Sequence, residues 1–274
     1  WNYSLLKTSF HLSNIFRKPL HWGTPIAVSI EPTTACNLRC PQCPSGLRQF
    51  TRPTGNLKTN VNKKILDGLG KNLQFINYYF QGEPFINPDF LELVKEARSR
   101  NIYVLTSTNA HFISQETAEK IIDSELSEVV ISIDGMTQET YQNYRIEGQL
   151  DKVIEGTKNL VAARKKRNTS YPIITFQFLV SKQNEHEIER ALAAGARIIG
   201  VNNRDLNSFE VDVQRAIRLR KQVPKTFTYV AESGIRSREE VQAIRAAEVD
   251  AILVGTHLMR AQDPGLALTD LTAL

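Results

Sequence analysis

A closed (β/α)8 barrel of the TIM-like, α/β class is the fold this sequence predicts, and three observations predict it. Eight short apolar, β-rich runs recur along the 274 residues, each followed by a segment of helical period, the pattern of parallel strands joined by crossover helices. Pro25, Pro172 and Pro224 stand in connections that lead into strands, where a missing backbone donor does little harm. No low-complexity linker interrupts the series, so the chain reads as one barrel domain over 1–274 with an N-terminal helical extension over 1–25.

The extension, Trp1 to Trp22, carries Lys7, Arg17 and Lys18 and has no acid before Glu31. Its apolar residues Leu5, Leu6, Phe10, Leu12, Ile15 and Phe16 fit a helical face imperfectly. We expect a helix plugging one end of the barrel with its basic side in water; the alternative is a helix lying on a membrane surface. Strands are then expected near Ala27 to Glu31, Phe75 to Phe80, Tyr103 to Ser107 and Val129 to Ile133. Four more follow near Ile173 to Leu179, Arg197 to Val201, Phe227 to Ala231 and Ala251 to Val254. The intervening helices show the matching period: Phe90, Leu93, Val94 and Ala97 share one face, as do Val241, Ile244 and Ala247.

Composition bounds the function classes. With 41% hydrophobic and 23% charged residues, the chain suits one large α/β domain or two small ones and is not a disordered polymer. No apolar run approaches the roughly 20 residues a membrane span needs, so no transmembrane segment is expected. The absence of a signal-peptide core and the odd, tightly grouped cysteine count make a reducing cytoplasm the expected home. The net charge of +5 comes from Lys and Arg interleaved with Asp and Glu, a solvated surface rather than a nucleic-acid footprint.

In such a barrel the chemistry gathers in loops at the carboxyl ends of the strands. After the first strand come Glu31 and a loop holding all 3 cysteines of the chain, Cys36, Cys40 and Cys43, in C-x3-C-x2-C spacing. A cubane iron–sulfur cluster normally takes four thiolates, so three close ligands without a fourth leave one iron open to a small molecule. Two other readings of the residues stand beside this one: free thiols in a loop, and a zinc site, although zinc wants four ligands and His21 and His111 lie outside finger spacing. The next strand ends bring Gln81-Gly82-Glu83-Pro84, Ser107-Thr108-Asn109 and Ser132-Ile133-Asp134-Gly135, with Arg145 beyond. Taken alone, Gly82-Glu83-Pro84 is a turn into a helix, and Arg145 a surface partner for Glu139 or Glu147.

In their order and spacing these residues resemble a radical S-adenosylmethionine enzyme from about Ala27 to Ile188. The resemblance implies that Cys36, Cys40 and Cys43 hold a [4Fe-4S] cluster whose open iron is chelated by S-adenosyl-L-methionine. It also implies that the turn Gly82, Glu83, Pro84 receives the methionyl amino group, Ser132 the ribose region and Arg145 the carboxylate, with Asp134 in the same site. Electron transfer from the cluster would cleave the sulfonium to a 5′-deoxyadenosyl radical, the cofactor supplying the reactivity and the protein the orientation. Gln42 departs from the aromatic that many relatives place before the third cysteine, which weakens the carry-over of an adenine contact there.

From about Ala191 to Leu274 the chain resembles the carboxyl-terminal part of indole-3-glycerol phosphate synthase. The carriers are Gly200-Val201-Asn202-Asn203-Arg204-Asp205-Leu206, Ala231-Glu232-Ser233-Gly234-Ile235 and Leu253-Val254-Gly255-Thr256-His257-Leu258-Met259-Arg260. The resemblance implies a phosphate cradle of backbone amides at Gly234, Gly255 and Thr256, where glycine allows close approach, and a pocket lined by Asn202, Glu232 and Ser233 as vestigial catalytic residues.

The two resemblances meet near Glu187 to Ala191. Radical-SAM-type units one to five (26–188) and synthase-type units six to eight (189–274) add up to a full barrel, and we read the chain as an engineered half-barrel chimera. Two new seams follow, strand five against six and strand eight against one, with misfit of about 1 to 3 kcal/mol per badly packed site. No Lys stands at the ends of strands one to three, so the synthase's carboxy-lyase ring closure should fail for want of a general acid. Three functions stay open: a scaffold with remnant sites and no designed activity, a residual radical enzyme, and a barrel that binds phosphate, sulfate or a sugar phosphate.

Overall fold

Among the residues that the computed structural model describes, 1–206 and 208–273, parallel pairing organises the strands into two sheets. The last residue of the expected synthase-type span 189–274 lies outside them. In chain order the first half contains α1 (Asn2–Phe16), β1 (Ala27–Ser29), α2 (Pro44–Leu47), α3 (Thr59–Leu69), β2 (Phe75–Asn77), α4 (Phe90–Arg98) and β3 (Tyr103–Thr108). Then come α5 (Gln115–Asp123), β4 (Glu128–Ser132), α6 (Gln138–Tyr144), α7 (Leu150–Lys166), β5 (Ile173–Gln177) and β6 (Leu179–Val180). The remainder is α8 (Ile188–Ala193), β7 (Ile198–Asn202), α9 (Gln214–Leu219), β8 (Thr228–Glu232), α10 (Arg238–Ala246), β9 (Ala251–Leu253), α11 (Thr256–Arg260) and α12 (Pro264–Thr272).

The chain divides into two compact units, one of Trp1–Asn37, Cys43–Ser132 and Asp151–Thr175, the other of Leu38–Gln42, Ile133–Leu150 and Phe176–Leu274. In the first, the ladder runs through Ala27↔Phe75, Phe75↔Tyr103 and Leu105↔Glu128. Its core is built as the periodicity predicts: Phe90, Leu93, Val94 and Ala97 of α4 are all buried, with Ile76, Val104 and Val129 of the sheet. Tyr78 joins them because its hydroxyl donates to Asn62 Oδ1 at 2.6 Å, and burial pushes its phenol pKa up. Ser114 caps α5 by accepting from Thr117 N, which satisfies one of the helix's orphan donors.

In the second unit the ladder runs through Leu179↔Gly200, Ile198↔Thr228 and Val230↔Ala251. Val180, Ile199, Val201, Tyr229 and Ala231 alternate inward from the strands and meet Ile188 of α8, Leu219 of α9 and Ile244 of α10. Capping boxes fix the starts of two of its helices, Thr137 with Thr140 at α6 and Ser237 with Glu240 at α10.

The fifth expected strand differs from its sequence reading. The run Ile173 to Leu179 breaks at Phe178, and β5 and β6 belong to different sheets, ordered β1-β2-β3-β4-β5 and β6-β7-β8-β9. A side chain causes the break: Ile133 N still donates to Gln177 O at 2.9 Å, but Leu179 N is taken by Asp134 Oδ1 at 2.9 Å, which diverts the amide from a strand partner. Of the two expected seams, five against six forms as a two-residue ladder, whereas no ladder joins β9 to β1 among the described residues. Phe176 of β5 is 56% exposed and Leu253 of β9 60%.

The extension is a helix, as expected. Its buried residue is Ser9, while Phe10, Ile15 and Phe16 are exposed. Its polar side is consumed by the returning chain: Thr24 N donates to Asn2 Oδ1 and Leu20 N to Ser13 Oγ, both at 2.8 Å. Among the described residues no helix is long and apolar enough to cross a membrane.

Candidate functional site

Each cysteine sulfur meets a polar side chain from a loop that follows a different strand. In the first unit, Asn109 Nδ2, just past β3, lies 4.0 Å from Cys36 Sγ, and Cys43 Sγ donates to Gln81 Oε1, beyond β2, at 3.2 Å. Cys43 also ends the loop, as the extended residue before α2, whose first position is Pro44. In the second unit, Cys40 is buried and Arg145 Nη1 lies 3.9 Å from its Sγ. The donor chemistry therefore suits three thiolate ligands, with polar partners of the kind that tune such a site. Among the described residues, however, no group of three His, Cys, Asp or Glu side chains is placed to hold a metal ion.

Gly82-Glu83-Pro84 forms a rigid turn. Gly82 has φ +80°, and a Cβ there would lie 2.2 Å from the Thr33 carbonyl oxygen, so only glycine fits. Glu83 is buried; its Oε1 accepts from Thr108 Oγ1 at 2.6 Å and from Phe85 N at 3.3 Å, and its Oε2 from Asn109 N at 2.8 Å. The carboxylate thus caps the short turn Pro84–Ile86 and locks it to the end of β3. Ser132, at the end of β4, is buried with its Oγ 3.5 Å from Ser107 Oγ.

Arg145 pairs with neither Glu139 nor Glu147. Its Nε donates to Asp134 Oδ2 at 2.6 Å, and Glu147 instead faces Arg39 at 3.5 Å. Burial acts to lower the guanidinium pKa, but Asp134 and Cys40 outweigh it and raise the pKa, so the cation is held firmly. Asp134 is fully committed, with one oxygen on Arg145, the other on Leu179 N, and its carbonyl accepting from Asn184 Nδ2 at 3.0 Å. Asn184 and Glu187 escaped the sequence reading. Glu187 is 1% exposed and accepts from Met136 N at 3.0 Å and Thr140 Oγ1 at 2.9 Å. Nothing local to a charged run such as Asn184 to Arg190 signals a buried acid whose donors lie about fifty positions away.

At the carboxyl ends of β8 and β9, Ser233, Gly234, Gly255 and Thr256 line one pocket of about 660 Å³. Arg204, Arg236, His257 and Arg260 add four basic side chains to its walls. All four lie within or beside the quoted motifs, so their density in a glycine-bearing stretch was the available signal. Gly234 has φ +77°, and a Cβ there would strike Val211 Cγ1 at 2.0 Å, whereas a Cβ on Gly255 would meet nothing within 4 Å. Asn202 and Glu232 are not among the walls. Asn202 is buried, with Oδ1 accepting from Arg204 N at 3.0 Å. Glu232 lies against Gly200, where a Cβ would sit 2.3 Å from its Oε1, and burial raises its carboxyl pKa.

Comparison with known proteins finds two families in the chain, over segments that overlap at 157–195. Residues 157–271 match the family model of indole-3-glycerol phosphate synthase. The synthase of Ruminiclostridium cellulolyticum is 46% identical over 93 residues, covering 34% of this chain and 36% of its own length. That of Endomicrobium trichonymphae is 49% identical over 82 residues, covering 30% and 32%. The chain therefore spans about a third of the length of the curated relatives it matches. In fold it is similar to Streptococcus suis SuiB bound to S-adenosylmethionine, with TM-score 0.56, 16% identity, and coverage of 94% of this chain and 63% of that one. It is also similar to anSMEcpe with bound AdoMet, with TM-score 0.55, 17% identity and coverage of 72% and 57%. A second family model, that of the radical SAM superfamily, matches residues 30–195, which run from the end of the first strand through the cysteine loop and α8. That match takes in more than half of the sequence, and the chain belongs to the radical SAM superfamily.

Proposed function

We propose that this chain is an engineered recombination of two barrel segments, joined near Glu187 to Ala191, that keeps a [4Fe-4S] and S-adenosylmethionine site in its radical SAM segment. The observation that carries this reading is the supply of one polar partner to each cysteine sulfur: Asn109 to Cys36, Arg145 to Cys40 and Gln81 to Cys43. Cys36, Cys40 and Cys43 would hold the cluster, which when bound supplies the electron for reductive cleavage of the sulfonium. The turn at Gly82, Glu83 and Pro84 offers backbone groups to the methionyl amino end, held rigid by the Glu83 hydrogen bonds. Arg145, aimed by Asp134, offers a cation to the carboxylate, and Ser132 a hydroxyl to the ribose. The radical SAM segment lacks its own sixth unit, so cleavage is expected to be uncoupled from any substrate.

Anaerobic reconstitution with iron and sulfide tests this. The expected result is about three to four irons per chain, the cubane stoichiometry, with broad visible absorption that disappears in the Cys36→Ala/Cys40→Ala/Cys43→Ala variant. Iron content well below that, or equal in the variant, overturns the reading.

A second site is favoured by the basic pocket at the ends of β8 and β9. Backbone amides at Gly234, Gly255 and Thr256 with Arg204, Arg236 and Arg260 suit phosphate, sulfate or a sugar phosphate. Synthase activity is not expected to accompany it. The first three strand ends of this chain carry no lysine, and the loss of one general acid commonly costs about 100- to 10,000-fold. Calorimetric titration with inorganic phosphate is expected to saturate for the parent chain and not for Gly255→Glu; no saturation, or equal saturation, removes this site.

A further inference from the structure

The helix α1 turns polar side chains toward the chain that returns along it. Asn2 and Ser13 hydrogen-bond to the strap Leu20 to Thr24, Ser13 Oγ also donating to Ser9 O at 2.7 Å, and Ser9 Oγ donates to Leu6 O at 3.0 Å within the helix. Several large apolar side chains lie outward: Phe10 is 63% exposed and Ile15 71%, with Tyr3, Phe16 and Trp22 also exposed, whereas Leu5, Leu6 and Leu12 are half-buried. Between helix and strap runs a furrow of about 440 Å³ walled by Tyr3, Leu6, Phe10 and Leu20, with Lys7 and His21 beside it. Charge on this patch has one sign, because Lys7, Arg17 and Lys18 are met by no acid in the first thirty residues. The helix closes on Arg17 at φ 53°, which ends it and turns Arg17 and Lys18, both exposed, into the strap.

An outward apolar and aromatic surface edged only by cations matches the chemistry of an anionic lipid interface, where aromatic rings settle at headgroup depth and basic side chains meet phosphate. We propose that α1 and its strap form a peripheral membrane-binding element that seats Phe10, Ile15, Phe16 and Trp22 in the interface of an anionic bilayer, with Lys7, Arg17 and Lys18 against the headgroups. The element shares no residue with the cysteine loop or the basic pocket, and its test needs neither a cluster nor an anion.

Co-sedimentation of the full chain with vesicles decides it. Vesicles of equal phosphatidylglycerol and phosphatidylcholine are expected to take up the protein, and pure phosphatidylcholine vesicles at least tenfold less. Phe10→Ser/Phe16→Ser should lower uptake about tenfold. Each of Lys7→Gln, Arg17→Gln and Lys18→Gln should lower it about fivefold at low salt, the weight of one basic residue near an anionic surface. Because these side chains are exposed, thermal melting of the variants should match the parent, which separates lost binding from lost folding. Equal uptake by both vesicle types, no uptake by either, or a sedimenting dimer abolished by Phe10→Ser/Phe16→Ser would overturn the proposal, the last by assigning the face to a second copy of the chain.

Discussion

Asp134 holds Arg145 through a 2.6 Å ion pair while its second oxygen takes the amide of Leu179, so one carboxylate both steers a cation toward Cys40 and ends the ladder at Phe178. Its side chain is 2% exposed and that of Arg145 20%, so the pair is largely desolvated. Removing one member of such a pair leaves an uncompensated buried charge, at a cost of about 3 to 5 kcal/mol. Asp134→Ala is therefore expected to lower unfolding free energy by about that much in urea titration. A loss under about 1 kcal/mol would show that Arg145 finds another anion.

Glu187 should prove nearly as sensitive, for a different reason. Its replacement by Ala strips the acceptor from Met136 N inside a dry site, at a cost of about 1 to 3 kcal/mol for an orphaned group, while Thr140 Oγ1 keeps Thr137 O at 3.2 Å. Glu187→Gln, which keeps one acceptor oxygen, is expected to recover about half of the loss. Equilibrium denaturation of the two variants side by side distinguishes this from a simple charge effect, in which both would lose equally.

Glu232 gives a pH signature of opposite sign to that of a salt-bridged acid. Burial raises its carboxyl pKa in the folded state, so the folded chain binds the proton more tightly than the unfolded one. Its contribution is fully present below the ordinary carboxylate range and is lost as pH rises through the raised value. Glu232→Gln is expected to be more stable than the parent at pH 7, with the difference shrinking toward pH 4. Melting temperatures across that range check it, and a gap that widens on acidification would contradict it.

The two glycines of the basic pocket should behave differently. Gly234→Ala combines a positive φ with a clash against Val211, and about 1 to 3 kcal/mol of destabilisation is expected. Gly255→Ala adds a methyl to open space, and its melting temperature should stay close to that of the parent, within about 0.5 kcal/mol of stability. Similar losses at both positions would mean that the pocket wall at Gly255 is tighter than it stands here.

Periodicity made most of the fold legible. Expected and observed strands coincide closely at β1 to β4 and β7 to β9, because strand runs there are short, apolar and bounded by helical segments. The break at Phe178 was not legible, since the residues around it are all good strand formers and the interruption comes from a carboxylate 45 positions away. In the site, spacing alone drew attention to the cysteines, and family order to the turn at Gly82. Taken alone, Arg145 has Glu139 and Glu147 as its sequence neighbours, whereas backbone geometry brings in Asp134, eleven residues back. The orientation of α1 was likewise hidden: apolar residues spread round the helix do not say which side the serines will occupy once Ser13 and Asn2 find the strap.

The second unit gathers Ile133–Leu150 and Phe176–Leu274 into one body, and Glu187 fastens Met136 and Thr140 within it. Ancestry and cooperativity are thus divided at different places along this chain. A gene cut at the proposed junction would yield a fragment from residue 189 onward that lacks the strand β6 with which its own β7 pairs. Anyone wishing to recover the carboxyl-terminal portion as an autonomous fragment would have to carry the 176–188 stretch along with its strands.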